Sequence, residues 1–164
     1  MYKEGDYVVK SSTGLCRVEG TVWMEGLDHT DQEFLVLVPL TDDRTKIYTP
    51  LPRVEETIRR VLDAAEAEEI LSADESDALF TVKNERLRET DYKVALRSNS
   101  PRMLLSLVRS LYQRRMDRVA QGKKPTSLDE HYLRLSEELL SSELAFALGC
   151  EKKEITDRIA AMIS

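Results

Sequence analysis

Arginine and lysine carry the most concentrated chemistry in this chain. Twelve of them fall between residues 83 and 124, against four Asp and Glu, a local excess of +8 in a chain whose net charge is −6. The remaining segments therefore carry −14. Arg86, Arg88, Lys93 and Arg97 come first. Arg102 and Arg109 then share one line of a helix, and Arg114 and Arg118 share another. Guanidinium forks match phosphate oxygens, and a helix starting at Ser100–Pro101 adds backbone N–H donors. The same run equally describes a solvated helical face with acidic partners in its own chain. Arg115 stands apart, because it falls within the apolar face of its helix. Its stem is expected to pack there, or its head to meet a carboxylate.

Catalytic patterns are missing from the sequence. It has no phosphate-binding glycine loop, no dinucleotide fingerprint, no H-E-x-x-H and no nucleophile elbow. Cys16, His29, His131 and Cys150 lack metal-ligand spacing, so no metal is expected. Glu68–Glu69 and Glu137–Glu138 sit in charged helical surroundings and read as solvated faces rather than an acid/base pair. Cys16 lies in a strand with Arg17 as its adjacent cation, and reads as a small core residue. Two cysteines far apart in sequence read more plainly as free thiols in a reducing compartment than as a disulfide, the alternative they leave open. The expected class is a cytoplasmic binding protein with no cofactor, no membrane association and no small-molecule substrate. The negative total argues against high-affinity binding to free DNA.

The elements that position these residues fall into two groups. Tyr7–Lys10, Leu15–Met24, 33–40 ("EFLVLVPL"), 45–50 ("TKIYTP") and 57–61 ("TIRRV") read as short antiparallel strands. The third is a near-continuous apolar run, as in a strand buried on both faces. After residue 62 the pattern turns helical. It covers 63–73, then 74–98 with some irregularity, then Pro101 to about Ala120 with Gly122 beyond its end. A further helix begins near Ser127 with Glu130 at capping-box spacing, and a last one runs from Glu151 to Ile163. The apolar faces read as Leu104, Leu107, Val108, Leu111, Tyr112 and Val119, and then as Leu128, Tyr132, Leu135, Leu139, Leu140, Leu144 and Leu148. The expected fold is α+β: a small Tudor/SH3-like antiparallel β module over 1–62, then an all-α helical bundle over 63–164. Trp23 and Tyr48 either close the small β core or anchor a partner.

These segments, taken together, resemble CarD-like bacterial transcription regulators. The resemblance rests on "YKEGDYVVKSSTGLCRVEG", "QEFLVLVPLTDDRTKIYTPL" and "TIRRVLDAAEAEEIL", continuing through "DYKVALRSNSPRMLLSLVRSLYQRRMDR" and "LSSELAFALG". It implies that the β module binds the β subunit of bacterial RNA polymerase, partly through a sheet edge. It further implies that the helical domain touches promoter DNA at the upstream edge of the transcription bubble, with an effect on open-complex formation or stability. The expected polymerase-binding residues are Val22, Trp23, Met24, Lys46, Ile47 and Tyr48. The expected DNA-binding residues are Arg86, Arg88, Lys93, Arg97, Arg114 and Arg118. Two family arginines are replaced here by Met24 and Tyr48, and the family's groove-wedging tryptophan by Arg88. DNA contact is expected to be weak and dependent on polymerase. The alternative is a protein–protein adaptor that docks on polymerase or another partner without touching DNA. The arginines discriminate: an exposed, unpaired set favours DNA, whereas pairing with the bundle's own acids favours the adaptor.

Overall fold

The computed structural model describes residues 1–74 and 78–163. The chain divides into two compact units, Met1–Val61 and Leu62–Ser164. The first is an antiparallel sheet of five strands: β1 (Tyr7–Lys10), β2 (Gly14–Glu25), β3 (Asp31–Pro39), β4 (Ile47–Pro50) and β5 (Ile58–Arg60). Their spatial order is β4-β3-β2-β1-β5, so β4 and β5 form the two edges. A single helical turn, α1 (Val54–Thr57), leads into β5. Val8, Cys16, Val18, Leu35, Leu37, Val54 and Ile58 build one core. The other face of β3 is buried too, at Phe34, Val36 and Val38, which is why that strand reads as a continuous apolar run.

β2 is irregular at one position with large consequences. Val18 pairs with Leu37 and Gly20 pairs with Val36, leaving Glu19 as an extra residue between them. Gly20 has φ +130°, a backbone that side-chain-bearing residues rarely adopt. Past this bulge the alternation inverts. Thr21 and Trp23 then share the face of Leu35, while Val22 and Met24 share the face of Phe34.

The second unit contains α2 (Ala64–Leu71), α3 (Arg88–Arg97), α4 (Pro101–Ala120), α5 (Ser127–Leu148) and α6 (Lys152–Ile163). Asp63 and Glu66 form a reciprocal capping box on α2. Ser100 caps α4 ahead of Pro101, and Gly149 ends α5 in the left-handed conformation. One core joins them, with Tyr92, Leu107, Val108, Leu140, Leu144, Ile155 and Ile159 fully enclosed.

Three expectations are corrected. Of the run 74–98, residues 75–77 lie outside the described residues, and 78–84 are not helical. There the N–H groups of Leu79 and Phe80 donate to Ser106 Oγ, both at 2.9 Å, instead of to carbonyls one turn back. The N-cap of α5 is Thr126, whose hydroxyl accepts from Asp129 N, rather than Ser127. Val119 and Leu135 are exposed. Burial on α4 stops at Leu111, and on α5 the enclosed stripe runs through Leu133, Ser136, Leu140 and Leu144.

Leu107 is wholly enclosed on α4. Leu107→Ala is expected to lower unfolding stability by about 2–5 kcal/mol. Urea unfolding followed by circular dichroism at 222 nm checks this (wavelength about that of the helix band).

Candidate functional site

In the β unit, the residues expected to meet polymerase divide between the two sheet faces. Val22, Met24 and Tyr48 lie on the face of Phe34 and Val36, because Tyr48 pairs with Val36 and Val22 with Phe34. Trp23 projects from the opposite face, beside Glu33, and is 67% exposed, so it closes no core. Tyr48 is also exposed and sits on the edge strand. Ile47 packs partly against the core beneath Leu37. Lys46 is paired with Glu19, the bulged residue, at 3.2 Å. Arg17 approaches the same carboxylate at 3.9 Å. The arrangement therefore offers an apolar patch from Val22, Met24 and Tyr48, an edge strand beside it, and a separate indole on the reverse side.

In the helical unit, the charge chemistry converges on Asp129, a residue the sequence reading did not single out. It is 3% exposed and lies in the first turn of α5, where the helix dipole favours an anion. Asp129 Oδ1 accepts from Tyr92 Oη at 2.6 Å and from Arg88 Nε at 2.9 Å. Oδ2 accepts from Arg114 Nε at 3.0 Å. Arg114 turns its remaining nitrogens to the Glu85 carboxylate, and Arg88 reaches the Glu85 carbonyl at 3.1 Å. One carboxylate thus ties α3, α4 and α5 together. The available sequence signal was an acid three residues after Thr126, following Pro125.

Ionisation follows this geometry. Burial by itself would push the Asp129 carboxyl up. Hydrogen bonds from Tyr92, Arg88 and Arg114 outweigh it and hold the group below the usual carboxylate range. The Tyr92 phenol is pushed up by burial and by its bond to Asp129. The hydrogen bond from Arg114 lowers Glu85. Both arginines are correspondingly held more firmly protonated.

The expected DNA-binding residues thus have different fates. Arg88 and Arg114 are largely enclosed and neutralised within the bundle. Arg118 donates from Nε to the Lys124 carbonyl at 2.6 Å, closing the turn after α4. Lys93 and Arg97 lie four residues apart on the exposed side of α3, and Arg86 is exposed in the turn before it. Among the described residues the Arg86 and Lys93 side chains make no ion pair. Arg115 meets Glu130 at 3.0 Å and lies over the Tyr112 ring, 5.1 Å from its centre.

Both cysteines are free thiols, and burial pushes the Cys16 thiol up to about 11, far from a reactive range. Among the described residues, no cluster of His, Cys, Asp and Glu is arranged to hold a metal ion, and no helix is long and apolar enough to cross a membrane.

Residues 2–62 match the family described as the CarD-like/TRCF RID domain. The β unit is accordingly a CarD-like module, and the match coincides with the unit that carries the Val22–Met24–Tyr48 patch. No curated protein matches the chain.

Asp129→Asn removes the charge that two enclosed guanidinium groups share, and is expected to cost about 3–5 kcal/mol. The native carboxyl titrates below its unfolded value of about 3.9, so the unfolded chain binds more protons in acid and the stabilisation is lost as pH falls through that region. Urea titrations from pH 7 to about 2.5 should show this acid slope in the parent chain and a shallower one in the variant.

Proposed function

We propose that the chain is a transcription regulator that docks on RNA polymerase through residues 1–62. The observation that carries this reading is the match of residues 2–62 to the CarD-like/TRCF RID domain, a polymerase-interacting module. The partner is the polymerase β subunit. The outer edge of β4 supports this, because among the described strands it pairs with β3 alone. A strand of the partner can add there, with Tyr48, Val22 and Met24 supplying apolar contact. The role is binding rather than catalysis.

The helical unit reaches promoter DNA with a smaller cationic set than composition suggests. Arg86 and Lys93 lead it, with Arg97 and Arg118 contributing what their own interactions within the chain leave available. Arg88 and Arg114 serve the interior. So few phosphate contacts bind free duplex weakly, and tethering to polymerase supplies the effective concentration that makes them count. The consequence is a change in open-complex formation or stability. A second reading, an adaptor that never meets DNA, is favoured by the neutralisation of Arg88 and Arg114.

Tyr48→Ala in the full chain should weaken binding to purified polymerase about tenfold or more, as for an aromatic anchor, in a calorimetric titration. Unchanged affinity for both Tyr48→Ala and Val22→Asp would overturn docking at this patch. Lys93→Glu with Arg97→Glu should leave polymerase affinity intact while altering the lifetime of promoter open complexes. An unaltered lifetime selects the adaptor.

A further inference from the structure

Arg102 and Arg109, which share a line of α4, do not join the Asp129 cluster. They border a cavity of about 310 Å³ within the helical unit. Its apolar wall includes Phe80, Leu105 and Ile163. Its polar wall is Arg102, Ser106, Arg109, Ser110 and Gln113, two full cations among neutral groups. Arg109 gives one terminal nitrogen to the Ala73 carbonyl at 2.6 Å, while its Nε is buried without a hydrogen-bond partner. Among the described residues it is the buried side-chain polar atom left in that state. Ser106, 7% exposed, accepts from both Leu79 N and Phe80 N, so its own hydroxyl proton remains to be donated. Arg102 has a distant partner, Glu69 at 3.8 Å. Among the described lining residues there is no carboxylate.

A buried guanidinium N–H without an acceptor is costly, and none of the side chains around the chamber accepts from it. What satisfies both walls is a molecule with an apolar body and a planar two-oxygen anionic head. We propose that this cavity binds a small amphipathic monocarboxylate. Its head accepts from Arg109 Nε and Ser106 Oγ, and its tail lies against Phe80, Leu105 and Ile163. A guanidinium edge and a neighbouring hydroxyl suit the two oxygens of one carboxylate. The volume lies at the lower end of the range for small-ligand pockets, about 300–1,000 Å³, which limits the tail to a short chain or one ring. The site is independent of polymerase docking and gives the helical unit a ligand of its own.

The test is an NMR titration of the full chain with octanoate, run beside octanol and acetate, together with thermal melts. Octanoate should shift Phe80, Ser106 and the Arg109 Nε–H saturably, at least tenfold more tightly than either control, and raise the melting temperature. Arg109→Gln should lose at least tenfold in affinity. Ser110→Phe should abolish binding by filling the cavity while leaving the Arg109–Ala73 bond in place, and unliganded melts establish that both variants fold. Octanol binding as tightly as octanoate, or no saturable shift in the parent chain, would overturn the proposal. So would binding that emerges only in a Glu75→Gln, Asp77→Asn double variant, which would assign the guanidinium to the chain's own acids.

Discussion

The helical unit depends on one buried carboxylate. Asp129 sits where α3, α4 and α5 approach one another, and each contributes to its hydrogen bonding: Tyr92 and Arg88 from α3, Arg114 from α4, Asp129 itself from α5. A carboxylate enclosed in this way persists only when its oxygens are filled by good donors. The two arginines are equally constrained, since an enclosed guanidinium needs the anion as much as the anion needs it. The tyrosine rings around it, with Tyr92 between Phe80 and Tyr132, fix the donor that a purely ionic cluster would lack. The geometry of the bundle and the distribution of its surface charge are therefore one problem. Holding three helices together removes two cations from the surface.

The β module shows a comparable economy. The one-residue bulge at Glu19 changes which side of the sheet each later residue of β2 occupies. Had strict alternation continued from Val18, Val22 and Met24 would face the core and Trp23 would lie opposite. The bulge reverses this, placing Trp23 on the core-bearing face beyond the core's end and freeing Val22 and Met24 to join Tyr48. The displaced carboxylate of Glu19 then collects Lys46 and Arg17. A single backbone irregularity thus builds the apolar patch next to β4 and removes Lys46 from it.

Much of the architecture was legible because local physics agrees with the fold. The apolar runs of β1 to β3 became strands, and Ser100–Pro101 opened α4 at the residue the cap and the proline specify. Gly149 ended α5 for the corresponding reason at the other terminus. The helical reading of 78–84 failed because the Leu79 and Phe80 N–H groups found Ser106, more than twenty residues away, as a better partner than their own turn. Val119 and Leu135 have the right spacing for a core face but remain exposed. Periodicity states which residues share a side of a helix, not how far along that side the contact extends.

The candidate site divides along the same line. Sequence by itself determined that cations concentrate between residues 83 and 124, that catalytic motifs are lacking, and that the first sixty residues form a small antiparallel sheet. These are properties of composition, order and local pattern. Only the tertiary structure decided which cations remain available. Arg88 and Arg114 are forty-one and fifteen residues from Asp129 in sequence, yet they share its two oxygens. Pairing of that kind is set by where helices cross, and the desolvation of the enclosed charges makes the choice of partner binding. The same long-range packing left Arg109 Nε buried without a hydrogen-bond partner at the wall of a chamber, a circumstance that no spacing along α4 encodes.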